Sequence, residues 1–178
     1  MQVKNLYIMW KQIAFCFIAM SLIMACTQTN EPDNTIDLPT DPMTEDPIVI
    51  NQNQAAVIGV SLSGEESNYT FNVTISSPDT GCDQYADWWE VITQDGELVY
   101  RRILGHSHVD EQPFTRSGGT IEISSLDSIF VRAHMNNLGY GSLVYSGTIA
   151  DGLAVDTLET SFAEELLTIE PLPTSCAY

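Results

Sequence analysis

Three histidines are present, His106, His108 and His134, and the first two stand two residues apart as His106-Ser107-His108. Alternate residues of an extended strand project to one face, so this pair offers two imidazoles to the same side. Neutral imidazole is a good ligand for copper and zinc. One reading is therefore a Cu or Zn site built from His106, His108 and His134, with Arg132 beside the third histidine opposing the cation. The other is a polar loop that bonds its own backbone on the way into Val109-Asp110-Glu111-Gln112-Pro113, since a metal site needs further partners at bonding distance. A second stretch, Asp79-Thr80-Gly81-Cys82-Asp83-Gln84-Tyr85-Ala86-Asp87, is rich in the hard oxygen donors that calcium takes. Its spacing lacks the fixed glycine and final glutamate of the calcium-loop motif, and it reads as a solvated turn. Trp88 and Trp89 are neighbours, so on a strand one faces the core and the other faces away. The outward ring, with Phe130 on another strand, could stack a sugar or meet a protein partner, unless loops or the C-terminal tail cover it. No Gly-x-Ser-x-Gly elbow, phosphate-cradling glycine loop or His-Glu-x-x-His helix occurs. Carboxylate pairs say little in a chain with 24 acidic residues. The expectation is a non-enzymatic domain without a resident cofactor.

The elements that must position these residues are strands. Ala56, Ile58, Val60 and Leu62 alternate with small or polar residues, and Tyr69, Phe71, Val73 and Ile75 alternate with Thr70, Asn72, Thr74 and Ser76. Gly64-Glu65-Glu66-Ser67 between them suits a hairpin loop. A third strand over 85–93 meets a fourth over 97–104 through Gln94-Asp95-Gly96, whose glycine supplies the positive φ of a tight turn. Further strands are expected at 120–123, 128–135 and 143–149, separated by Gly-, Asn- and Ser-rich turns. About seven short strands of this spacing predict an all-β, antiparallel β-sandwich. It resembles immunoglobulin or fibronectin type III domains in strand count and in the tryptophan of the third strand. Beyond Asp151, Ser161 and Glu164 could form a capping box opening a short helix through Leu167, or the chain could add a last edge strand.

The first residues carry a different message. Lys4 and Lys11 precede an uncharged, mostly apolar stretch over residues 12–25, too short for the ~20 helical residues that span a bilayer. Basic start, apolar core and small residue before a cut are the order of a secretory signal. Ile23-Met24-Ala25-Cys26 resembles the lipobox of bacterial lipoproteins: aliphatic residue, tolerant position, small residue, modified cysteine. The resemblance implies cleavage before Cys26, lipidation of Cys26, and attachment to the membrane of the cell envelope, expected to be the outer membrane, facing the periplasm or the surface. An ordinary signal with an incidental cysteine, or an uncleaved anchor, is the alternative. Residues 27–48 hold Pro32, Pro39, Pro42 and Pro47 among Thr, Asn and acids, and read as an extended tether. Glu31 and Asp33 just after Cys26 resemble the surface-export signals of Bacteroidetes lipoproteins. The layout expected is a signal at 1–25, a tether at 26–50 and a sandwich with its tail at 51–178.

If the signal is lost and Cys26 lipidated, Cys82 and Cys176 remain as a pair in an oxidising compartment, and a disulfide is expected. Two thiolate metal ligands are the other possibility. Formal net charge is −18, and past Cys26 four arginines and no lysine stand against all 24 acids. Such a surface repels phosphate backbones, which excludes nucleic acid as a partner. A membrane reached through Cys26 and a protein or glycan partner remain.

Overall fold

The computed structural model describes residues 51–177; the leader, Cys26 and the tether to residue 50 lie outside the described residues. Among the described residues nine strands occur in order: β1 (Ala56–Glu65), β2 (Asn68–Ser76), β3 (Ala86–Thr93), β4 (Leu98–Ile103), β5 (Phe114–Ile121), β6 (Ile129–Met135), β7 (Gly139–Tyr140), β8 (Leu143–Thr148) and β9 (Gly152–Thr157). They form two antiparallel sheets, β1-β2-β5 and β4-β3-β6-β8-β9, with the two-residue β7 beside β6. The expected all-β sandwich is what is found. Phe71, Val73 and Ile75 of one sheet and Trp89, Val91 and Val131 of the other are fully buried in a common core. Burying a side chain of this size stabilises by about 1.5–3 kcal/mol.

Three features depart from the expected pattern. In β1 the pairing jumps from Val57↔Ile75 to Gly59↔Thr74, leaving Ile58 as an extra, bulged residue. A one-residue bulge reverses the facing of the residues after it. Val57 is therefore fully buried, Ile58 is 37% exposed, and Val60 and Leu62 still pack on the core. Tyr145 donates its hydroxyl to the Ile58 carbonyl at 3.1 Å, on the bulge itself.

Secondly, the fifth strand begins at Phe114 rather than Thr120, because Ser117-Gly118-Gly119 is strand and not turn. A Cβ on Gly118 would sit 2.7 Å from both Trp89 Cζ2 and Tyr100 Cε1, so glycine is what lets this strand lie over the Trp89 ring. Gly118→Ala is expected to lower stability by about 1–3 kcal/mol, as overpacking does, in urea unfolding monitored by tryptophan fluorescence. An unchanged midpoint would mean that the ring has room to move.

Thirdly, the tail has both an edge strand, β9, and a single 3₁₀ turn at Glu164–Thr168. No capping box forms: Ala163, in left-handed backbone at φ 49°, caps the turn without a side-chain bond. The Asp95-Gly96 turn joining β3 to β4 is as expected, with Gly96 at φ 84° and its N–H donated to the Thr93 carbonyl.

Candidate functional site: a sheet face closed by its own tail

Every residue of β3 from Ala86 to Ile92 is buried, on both faces of the strand. Trp89 and Val91 face the inter-sheet core, whereas Trp88, Glu90 and Ile92 face the opposite way, where a sandwich would ordinarily meet water. The register places Glu90 between Arg101 of β4 and Arg132 of β6. Arg101 grips Glu90 Oε2 through Nε at 2.7 Å and Nη2 at 2.6 Å, and Arg132 grips Oε1 through Nε and Nη2, both at 2.8 Å. The three side chains are essentially inaccessible.

Two guanidinium groups against one carboxylate leave one net positive charge out of water, which is costly unless further acceptors surround it. The tail supplies them. Arg101 donates Nη1 to the carbonyls of Ile169 at 2.5 Å and Pro171 at 3.2 Å, and Nη2 to that of Leu166 at 2.8 Å. Arg132 donates Nη1 to the Phe162 carbonyl at 2.5 Å and Nη2 to that of Ala163 at 3.3 Å. The Phe162 and Ala163 carbonyls thus point to Arg132 at the place where a capping box was one of two readings. Leu166 is buried and Phe162 meets Phe130 edge-on at 5.8 Å.

The end of the tail is fastened too. Cys82 and Cys176 form a disulfide, as expected, across 94 positions of sequence. Ala177 donates its N–H to the Gly105 carbonyl at 2.7 Å and bridges His106.

This arrangement absorbs most of the residues with apparent chemistry. Trp88 is only 4% exposed, with the Arg101 guanidinium 4.6 Å above its ring. Trp88 and Phe130, expected as an outward partner-binding pair, do face away from the core, yet the arginines, Tyr140 and the tail occupy that side. His134 stacks on Trp88 at 3.6 Å and its Nδ1 is 2.6 Å from Asp87 Oδ1. Burial pushes the Asp87 carboxyl up, against the pull of His134. Tyr140 packs its ring 3.5 Å from the Arg132 guanidinium, and burial pushes its hydroxyl up to about 12, so it stays neutral.

His106 and His108 do come together, with ring centroids 4.4 Å apart. The three-histidine metal site, one of the two readings of these residues, is nonetheless not formed, because β6 commits His134 to Asp87 on β3. Among the described residues no group of three or more His, Cys, Asp and Glu side chains is arranged to hold an ion. The loop carrying His106 and His108 instead folds onto Asp79. Oδ2 of Asp79 accepts the His108 backbone N–H at 2.8 Å, and Oδ1 accepts the Ser77 hydroxyl at 2.7 Å and the Ala86 N–H at 3.0 Å. Asp79, expected in a solvated turn, is thus a buried staple between three segments.

His108 stacks on Phe114 at 3.7 Å, and both its ring nitrogens are buried without a hydrogen-bond partner among the described residues, Asp79 Oδ2 lying 3.9 Å from Nδ1. Burial, then Arg116 and His106, hold its pKa below the ordinary value. The folded state therefore binds this proton less readily than the unfolded chain, so stability from neutral His108 is full above about pH 6.5 and falls as pH drops below it. The urea midpoint should fall between pH 7 and 5, and His108→Phe should flatten that slope. An identical slope in the variant would assign it to other groups. Beside this ring an open concavity of about 540 Å³ is lined by His106, His108, Asp110, Glu111 and Ala177.

The buried Glu90 cluster was not anticipated from sequence; the one available signal was Arg132 facing away from the core beside His134.

No family model matches the chain, and no solved structure matches it. A protein of Halomicrobium mukohataei named "Putative lipoprotein" is 41% identical over 90 residues, covering 49% of this chain and 44% of that protein. The chain thus matches less than half the length of this relative.

Proposed function

We propose that the chain is an exported envelope protein anchored to the membrane by lipid on Cys26, and that its β-sandwich is a non-enzymatic binding or structural module. The observation that carries this reading is the Ile23-Met24-Ala25-Cys26 motif behind a basic and apolar leader. Similarity to a protein named as a lipoprotein supports it, as does the Cys82–Cys176 disulfide, which persists in oxidising compartments. Several acyl chains on one cysteine hold firmly, since each buried CH₂ adds about 0.8 kcal/mol. The proline-rich stretch after Cys26 is read as a tether between anchor and domain.

Support for binding over catalysis comes from how the reactive side chains are spent. Glu90, Arg101, Arg132, Asp79, Asp87 and His134 are each engaged in holding segments together. An opening that could take a protein or glycan partner is the concavity beside His108, where His106, Asp110 and Glu111 present exposed polar groups.

Palmitate labelling of cells making the wild-type chain or Cys26→Ser tests the anchor. Label in the wild type, with sedimentation in the membrane fraction, and none in the variant is the expected result. A wild-type chain that is unlabelled and begins elsewhere than Cys26 would overturn the reading.

A further inference from the structure

Two Asn-x-Thr triplets lie on β2, Asn68-Tyr69-Thr70 and Asn72-Val73-Thr74. In an exported protein such a triplet is an acceptor for asparagine-linked glycan where the backbone offers it at the surface. The fold separates the two. Asn72 lies in the middle of the central strand of its sheet, opposite Ser61 on one side and Ser117 on the other. Its amide oxygen accepts the Ser117 hydroxyl, and the Thr74 hydroxyl bonds that of Thr115 at 2.9 Å. Both members of this triplet are therefore held down in the sheet.

Asn68 is placed differently. It is the first residue of β2, exposed, and directly after Ser67, whose left-handed φ of 59° turns the chain out of β1. It pairs with Glu65 of β1, and on the other side its neighbours Tyr69 and Ser67 meet Ile121 and Ile123, at the end of the β2-β5 ladder. Residues two apart on a strand face the same way, so Asn68 and Thr70 present amide and hydroxyl together, away from the core. Beyond Glu65, which stands opposite Asn68, the residues Ser61, Ser63, Thr70, Asn72, Thr115 and Ser117 make the rest of this face one of short, uncharged hydroxyl and amide groups. Short side chains leave room for a bulky group, and hydroxyls suit contact with a sugar.

We propose that Asn68 is an N-glycosylation site whose glycan lies along the outer face of the β1-β2-β5 sheet. This rests on the export reading, because the donor is found outside the cytoplasm. Asn68 Nδ2 attacks the anomeric carbon of a glycan activated as a lipid-linked diphosphate. A C–N bond forms and the C–O bond to phosphate breaks. The lipid diphosphate leaves with the bonding electron pair, and the amide nitrogen gives up one proton to the transferase.

Mass spectrometry of the endogenous chain, purified from its own membranes and digested, reads Cys26 and Asn68 on the same sample. The expected result is lipid on the peptide beginning at Cys26 and a glycan increment on the peptide containing Asn68. Asn68→Gln and Thr70→Val should remove the increment, whereas Thr70→Ser and Asn72→Gln should keep it, each variant first shown to be folded by circular dichroism. A lipidated chain with Asn68 at its bare mass, or with glycan on Asn72 instead, overturns this site and leaves the anchor standing. A chain with neither lipid nor glycan overturns both.

Discussion

Replacing Glu90 by Gln is expected to lower the unfolding free energy by about 3–5 kcal/mol, the cost of leaving buried charge unpaired. Glutamine keeps the volume but removes the negative charge, so Arg101 and Arg132 would face each other across a neutral amide in a place water does not reach. The surface pair Arg116–Glu111 serves as the control: its side chains are 25% and 59% exposed, and Glu111→Gln should cost no more than about 1 kcal/mol. Urea unfolding of the two variants separates the cases. A Glu90→Gln loss as small as that of Glu111→Gln would show that the cluster is solvated. Swapping all three members for apolar residues, which rescues some buried ion pairs, should not rescue this one, because five tail carbonyls would lose their donors.

The disulfide should be comparably important. Cys82→Ser/Cys176→Ser removes a crosslink spanning 94 positions, worth about 4–5 kcal/mol in the chain-entropy account. Because the bond fastens the same tail that Arg101 and Arg132 hold, its loss and the loss of Glu90 should not add: combined, they should cost less than their sum. Urea midpoints of the two parents and the combination measure this. Hydrogen exchange should rise first in residues 158–177 of the cysteine variant. Uniform exchange across the domain, or strict additivity, would mean that the tail does not open as a unit.

Much of the sandwich was legible because alternation is a direct record of facing: β2 puts Tyr69, Phe71, Val73 and Ile75 inward as its pattern says. In β1 the reading failed through a single extra residue. Ile58 belongs to the apolar alternation of β1, yet the bulge turns it outward. The Glu90 cluster was hidden in the same way. Counting back from the Asp95-Gly96 turn sets Ile92 opposite Leu98 and would set Glu90 opposite Tyr100. A shift between Val91 and Ile92 sets it opposite Arg101 instead. Bulges leave no composition signal at either position, so the ion cluster could not be found by spacing.

The histidines illustrate the complementary limit. That His106 and His108 lie close follows from their separation by one residue. That His134 belongs to Asp87 follows from β3 lying beside β6, a fact of sheet order. The tail was least legible of all, since its contacts with the arginines are made by backbone carbonyls, which every sequence has.

Residues 158–177 close the outer face of the larger sheet and so place Arg101 and Arg132 out of reach. Labelling the oxidised, native protein with an arginine-selective dicarbonyl reagent and reading each site by mass spectrometry tests it directly. Arg102, which is exposed, should react freely, while Arg101 at 5% and Arg132 at 1% exposure should stay unlabelled until the protein is unfolded. Labelling of Arg101 and Arg132 at the rate of Arg102 in the folded protein would contradict it.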